Sequence, residues 1–168
     1  PLELIKLAAE CGADCAKFQM RDLKTLYNNS GNPNDANADL GAQYTIDLLT
    51  RFQLTDSELY EAFDFCISNN VIPLCTPWDL SSLEKLENYG LNGYKIASAD
   101  FTNPDLITAV ANTGKPLLCS TGMSTESEIL DGISTLQKLN APFILLHCNS
   151  TYPAPFKDIN LNYINNLN

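Results

Sequence analysis

Histidine occurs once among the 168 residues, at position 147, and no two of the six cysteines stand in Cys-x-x-Cys spacing. A zinc centre needs clustered thiolate or imidazole donors, so this poverty argues against one. Basic residues are also scarce: ten Lys and Arg against twenty Asp and Glu leave a formal net charge of −10. A chain so acidic lacks the broad basic face that binds nucleic acid. The deficit does not exclude a small anionic ligand held by a few buried cations. No apolar run reaches the length of a membrane span. No signal-peptide pattern opens the chain either, since Pro1-Leu2-Glu3-Leu4 already reads as helix. The six cysteines, Cys11, Cys15, Cys66, Cys75, Cys119 and Cys148, are therefore expected to be reduced thiols packed as small hydrophobes in a cytoplasmic protein.

What is present is apolar and periodic. Hydrophobic residues make up 45% of the chain, enough for a real core. Strand-length apolar runs recur at 15–18, 71–75, 94–97, 116–119 and 143–147. Between them lie helical stripes such as Leu59, Phe63, Cys66 and Ile67, or Ile129, Ile133 and Leu136. Thr55 with Glu58, Ser81 with Glu84 and Thr125 with Glu128 have capping-box spacing. Gly12, Gly90 and Gly114 stand just past expected helix ends. Strand, loop and helix repeat, with the strands expected to be buried on both faces, which predicts a parallel α/β sheet.

The connection over 20–54 is longer than the rest and contains the asparagine-rich run Tyr27–Asp35, with a short helix expected near 40–51. A further helix is expected from about Asp158. The chain opens in a helix and closes in one, so residues 1–168 read as one partial domain, truncated at both ends. It would be a segment of about five strands from an eight-stranded (β/α)8 TIM barrel. The rival is a five-stranded flavodoxin-like domain, whose glycine-rich phosphate turn is missing after the first strand.

In parallel α/β folds chemistry gathers at the carboxyl ends of strands. Those ends carry Lys17 and Gln19; Thr76; Lys95, Ser98 and Asp100; Ser120 and Thr121; and His147, Asn149, Ser150 and Tyr152. Lys95 interrupts an apolar run, and an ammonium buried without a partner is costly. Two lysines with several hydroxyls suit a small phosphorylated or carboxylated ligand. Each residue has a plainer reading as well. Ser98, Ser120 and Thr121 could be caps or turn residues. His147 could be a hydrogen-bonded structural histidine. The lysines could snorkel to the rim, and Tyr152-Pro153-Ala154-Pro155 could be a stiff loop.

Five stretches in register resemble the sialic acid (N-acetylneuraminate) synthase family. They are Ala16-Lys17-Phe18-Gln19, Cys75-Thr76-Pro77-Trp78-Asp79, Tyr94-Lys95-Ile96-Ala97-Ser98, Gly114-Lys115-Pro116 running to Ser120-Thr121-Gly122-Met123, and His147-Cys148 running to Tyr152-Pro153-Ala154-Pro155. The resemblance implies a (β/α)8 barrel that condenses phosphoenolpyruvate with an N-acylated hexosamine. The products are a nine-carbon 2-keto sugar acid and phosphate. It also implies a divalent metal, manganese or magnesium, that polarises the sugar aldehyde or activates water, and a homodimeric full-length protein. Carried over by position, Lys17, Thr76, Lys95, Ser98, Ser120, Ser150 and Tyr152 fall on the phosphoenolpyruvate site, and Gln19 faces the sugar. Lys17 and Lys95 would offset the ligand's charge, with Asp100 as a third catalytic candidate. Two positions depart from the family: Asp100 stands where many relatives carry glutamate, and Ser150 where some carry asparagine. The metal ligands are expected outside these residues, so the chain alone is expected to hold no metal, to be inactive and to fold poorly.

Two other functions fit the same residues. A class I aldolase would use Lys95 as a Schiff-base nucleophile beside Lys17. A non-catalytic sugar- or anion-binding module would use the site without turnover.

Overall fold

The computed structural model describes residues 1–26 and 40–167. They form two compact units, one of residues 1–16 with 21–73 and one of residues 17–20 with 74–168. Five strands run through the chain: β1 (Cys15–Met20), β2 (Ile72–Pro77), β3 (Tyr94–Ile96), β4 (Leu117–Ser120) and β5 (Phe143–Leu146). The helices are α1 (Leu2–Glu10), α2 (Leu23–Leu26), α3 (Leu40–Phe52), α4 (Asp56–Ser68), α5 (Leu80–Tyr89), α6 (Pro104–Ala111) and α7 (Glu126–Lys138).

In the first unit α1 packs on α4 around Ile5, Leu59, Ala62, Phe63, Cys66 and Val71, all buried. The helix starts follow the sequence. Thr55 and Glu58 form a reciprocal capping box on α4, as expected. The helix expected over 40–51 is α3, whereas the asparagine-rich run lies outside the described residues. Cys11 and Cys15 are exposed, which corrects their reading as packed hydrophobes.

The second unit holds most of the sheet, whose strands follow in chain order, β1-β2-β3-β4-β5. Pairing is parallel from β2 to β5, with Lys95 opposite Leu118 and Leu118 opposite Ile144. A flavodoxin-like sheet reverses its order once, to 2-1-3-4-5. The unbroken order here is that of neighbouring staves of a barrel, so the chain is an α/β fold with a parallel sheet of the incomplete-barrel kind. Tyr94, Ile96, Leu117 and Cys119 are buried on one face, and α5, α6 and α7 contribute Leu83, Leu86, Leu106, Val110, Ile129 and Leu136 to the core. Burial on both faces, expected for every strand, holds for β2 from Pro73 onward but not for the outermost strands. Lys17 and Gln19 are exposed on β1, and Ile144 on β5. Within these 168 residues the outer strands have a sheet neighbour on one side only, and fewer residues pack over their side chains.

Helix α7 has its expected Thr125–Glu128 capping box. Helix α5 does not use Ser81 and Glu84. Asp79 caps it instead, its Oδ1 accepting from Ser82 N at 2.7 Å and its Oδ2 from Ser82 Oγ at 2.9 Å. A carboxylate at the N-cap also faces the positive helix end, which favours it over serine. Gly12, Gly90 and Gly114 have φ of 79°, 92° and 68°, and Asn70 and Asn140 close α4 and α7 in the same left-handed region. No α-helix starts at Asp158. The chain makes 3₁₀ turns over Phe156–Asp158 and Leu161–Asn166, because Asn160 at φ 44° interrupts the run.

Behind β3, Tyr94 donates its hydroxyl to Glu87 Oε1, and Lys115 Nζ pairs with the same oxygen at 2.6 Å. Burial opposes ionisation of Glu87, but the Lys115 and Tyr94 hydrogen bonds and the Lys115 charge outweigh it and hold the carboxyl below its ordinary range. The trio ties α5, β3 and the approach to β4 together.

Phe101 is 1% exposed, and its ring occupies the place of a side chain at Gly132: a Cβ there would lie 2.7 Å from Phe101 Cε1. Gly132→Val is expected to destabilise by about 1–3 kcal/mol through overpacking. A chemical-unfolding midpoint that did not fall would show that the ring has room to move.

Candidate active site

The carboxyl ends of β1 to β5 surround a cavity of about 300 Å³ within the second unit. Of the nine residues that the resemblance assigns to the site, eight line it: Lys17, Gln19, Thr76, Lys95, Ser98, Ser120, Ser150 and Tyr152. Asp100 does not. It lies in the 3₁₀ turn Ser98–Asp100, its amide bonded to Ala97 O at 3.0 Å. Trp78, Met123, Cys148 and Asn149 also line the cavity. A search for charged and hydroxyl groups at strand ends passes over the first three, although all four stand inside or beside the same short motifs.

Both lysines line a wall that, among the described residues, includes no carboxylate. This local excess of positive charge contrasts with the chain's net −10 and makes the cavity a place for an anion. Lys95 is half-buried, with Nζ donating to Ile96 O at 2.7 Å and to Ser120 Oγ at 2.5 Å. Burial lowers its pKa below the ordinary 10.5, and the nearby Lys17 charge lowers it further, against the opposing effect of Cys148 and Cys119. Cys119 and Cys75, buried on their strands, are pushed up to about 12 and stay protonated. For these two, and for buried Cys66, the reading as packed thiols holds.

Ser120 is 4% exposed and accepts two hydrogen bonds, from Lys95 Nζ and from Cys148 Sγ at 3.2 Å. With both lone pairs used, its own proton is left to donate. An ammonium has three protons, and Lys95 spends two on Ile96 and Ser120. One ammonium proton and one hydroxyl proton thus remain side by side for the oxygens of a carboxylate or phosphate.

Three loops meet at Gly122. Its N–H donates to Ser98 Oγ at 3.2 Å and its carbonyl accepts from Ser150 Oγ at 2.6 Å. Ser98 therefore keeps its proton for a ligand, whereas Ser150 offers lone pairs. A Cβ at Gly122 would stand 2.8 Å from Cys148 O, so the approach of the two backbones requires glycine. Thr121 is buried with Oγ1 on Leu146 O at 3.0 Å, a structural role. His147 also has one: its Nε2–H donates to Ile159 O at 2.6 Å. Among the described residues no three His, Cys, Asp or Glu side chains stand together as a metal site. The metal implied by the resemblance therefore does not fit these residues, and it enters no step below.

The NeuB family matches residues 4–168, almost the whole chain. The chain belongs to the NeuB family. Among curated relatives it is 31% identical over 170 residues to the N,N'-diacetyllegionaminic acid synthase of Campylobacter jejuni, covering 98% of this chain and 51% of that protein. It is 26% identical over 163 residues to the human N-acetylneuraminate-9-phosphate synthase, covering 96% and 45%. Among solved structures, the N-acetylneuraminic acid synthetase of Leptospira borgpetersenii superposes with a TM-score of 0.87 at 30% identity, over 99% of this chain and 54% of that one. The chain thus spans about half the length of the curated relatives it matches. This is the family that the five motifs resemble, that of the phosphoenolpyruvate-dependent nonulosonic acid synthases.

Two variants test this geometry. Lys95→Met removes a charge that burial disfavours, so the ligand-free protein is expected to melt at a higher temperature at neutral pH and to lose stabilisation by inorganic phosphate. With its folded pKa below 10.5, the lysine's cost is full below that folded value and relieved as pH rises toward 10.5. The gap in melting temperature is therefore expected to narrow over that window. A variant less stable than the wild type at neutral pH would sink the argument. Gly122→Ala is expected to keep the fold but to weaken phosphate binding. Unchanged affinity would mean that the three loops adjust without loss.

Proposed function

We propose that this chain carries the phosphoenolpyruvate-binding part of a nonulosonic acid synthase that condenses phosphoenolpyruvate with an N-acylated hexosamine such as N-acetylmannosamine. The observation that carries the reading is the pair Lys95 and Ser120. Each has a proton left to donate, with Lys17 lining the same carboxylate-free wall. Phosphoenolpyruvate presents a carboxylate and a phosphate on adjacent positions, and two ammonium groups with buried hydroxyls match that pattern.

In the reaction C3 of phosphoenolpyruvate forms the new bond to the sugar's aldehyde carbon, and water adds at C2. Phosphate leaves to give the 2-keto acid. Lys95, Lys17 and Ser120 hold the anionic reactant and offset charge as the leaving phosphate develops. Ser98 adds a hydroxyl donor and Gln19 an amide toward the sugar. Ser150, whose proton is engaged by Gly122, accepts from a substrate hydroxyl or turns to donate. Tyr152 stands at the mouth, 94% exposed. Asp100 is read as acting beside the cavity rather than on its wall.

In this reading the chain is one partial barrel domain of a longer homodimeric, cytoplasmic protein that uses manganese or magnesium held by residues outside those described. No described helix is long and apolar enough to cross a membrane. The 168 residues alone are read as inactive.

The test is phosphate release by the full-length protein, given phosphoenolpyruvate, manganese and a panel of free and phosphorylated N-acylated hexosamines. Release that depends on one sugar, and that Lys95→Met reduces at least about a hundredfold, is the expected outcome. Phosphate release with no sugar dependence, or none with any sugar, would count against the synthase. A second reading has one observation in its favour, the lowered pKa of Lys95, which suits an imine-forming amine. Borohydride trapping of a covalent adduct at Lys95 would move the assignment to an aldolase.

A further inference from the structure

The segment that follows β5 leaves the sheet at His147 and comes back to the His147 side chain at Ile159. On its way it supplies Ser150 and Tyr152 to the cavity. Its outer part is solvated: Tyr152 is 94% and Phe156 95% exposed. Within these 168 residues apolar burial does little to hold this excursion in place, and the hydrogen bonds that do so lie at its base.

The base is closed by two side-chain rungs. His147 Nε2–H donates to the carbonyl of Ile159 at 2.6 Å, and Asn149 Nδ2–H donates to the carbonyl of Asp158 at 3.1 Å. The two donors stand two residues apart on the outgoing arm, and their acceptors are consecutive on the returning arm. Each donor is itself oriented. The His147 ring lies against Tyr163, centroids 5.8 Å apart and tilted by 50°. The other end of the Asn149 amide accepts from Thr151 N at 2.8 Å, which fixes which way the amide faces. Between the rungs and the cavity, Ser150 Oγ is anchored on Gly122 O at 2.6 Å. Among the described residues, cutting the rungs would leave that hydroxyl and a short 3₁₀ turn, Phe156–Asp158, to hold the segment.

We propose that His147 and Asn149 are positioning residues, a two-rung latch at the base of the 147–159 loop that sets Ser150 and Tyr152 at the phosphoenolpyruvate site. Neither side chain is required to touch the reacting atoms. The latch acts by restricting the loop beforehand, so that ligand binding does not have to order it. This explains why the one histidine of the chain sits directly after a strand, with its Nε2 engaged by a carbonyl. The proposal rests on the synthase reading only for the identity of the ligand.

The experiment uses the full-length protein with three variants, His147→Ala, Asn149→Ala and His147→Gln. The glutamine places an amide donor near the position of Nε2. Hydrogen–deuterium exchange of peptides spanning 150–158 and calorimetric titration with phosphoenolpyruvate are measured on each. His147→Ala and Asn149→Ala are expected to speed exchange in that segment about tenfold while exchange in β2 to β4 is unchanged, and to weaken phosphoenolpyruvate binding by about tenfold. His147→Gln is expected to recover most of both. Unchanged exchange in 150–158 in both alanine variants overturns the latch. Faster exchange with unchanged affinity overturns its positioning role. Global loss of protection in His147→Ala leaves the decision to exchange in Asn149→Ala, which removes the outer rung; because Asn149 also lines the cavity, the exchange rate in 150–158 and not the affinity alone decides there. If the wild-type protein fails to bind phosphoenolpyruvate, the synthase reading is at fault, and the exchange data still decide whether the latch exists.

Discussion

A half-buried ammonium on a three-residue strand is the constraint around which this site is arranged. Lys95 points away from the helices, while its neighbours Tyr94 and Ile96 are buried against them. The two faces of β3 deal with charge in opposite ways. On the helix side, Glu87 is compensated by Lys115 at 2.6 Å and by the Tyr94 hydroxyl, a closed structural trio. On the cavity side, Lys95 finds one carbonyl and one hydroxyl, and the charges nearest to it include a second lysine. A compensated charge stabilises a fold, whereas an uncompensated one in a cavity is a demand for a ligand.

The surrounding residues extend that arrangement. Ser120 accepts from Lys95 and Cys148 and so presents its proton, while Gly122 donates its N–H to Ser98 and accepts from Ser150 on its carbonyl, one bond on each of its two flanking peptide groups. The geometry depends on backbone approach as much as on functional groups. Cys148 stands so close to Gly122 that no side chain could separate them. The segment bearing Ser150 and Tyr152 is then closed at its base by His147 and Asn149. Residues that hold the site thus stand one or two positions from residues that line it, which is why the motifs are short and contiguous.

Much of the fold is legible along the chain because its signals are local. The capping boxes at Thr55 and Thr125 and the glycine stops at 12, 90 and 114 act within one helical turn, and they behave as the sequence predicts. The failures are competitions between neighbours. Asp79 takes the cap that Ser81 was expected to provide, and Asn160 breaks the helix expected from Asp158. Asparagine also stops α4 and α7, a signal as local as the glycines and readable in the same way. The exposure of Cys11 and Cys15 was not readable, since burial depends on what packs over a residue and not on its type.

By itself the sequence determined the alternation of strands and helices, the excess of acidic charge and the gathering of polar groups at strand ends. Each of these follows from residue type and spacing. It also carried the family, through five stretches in register. The tertiary structure alone decided the rest: the unbroken strand order that separates a barrel segment from a doubly wound sheet, and the direction of each proton at the site. It also decided that Asp100 is off the cavity wall and that His147 is a strut for a loop. Those outcomes turn on distances between residues 12 to 28 positions apart, and no local propensity fixes such distances. They are set when the sheet brings the strand ends together.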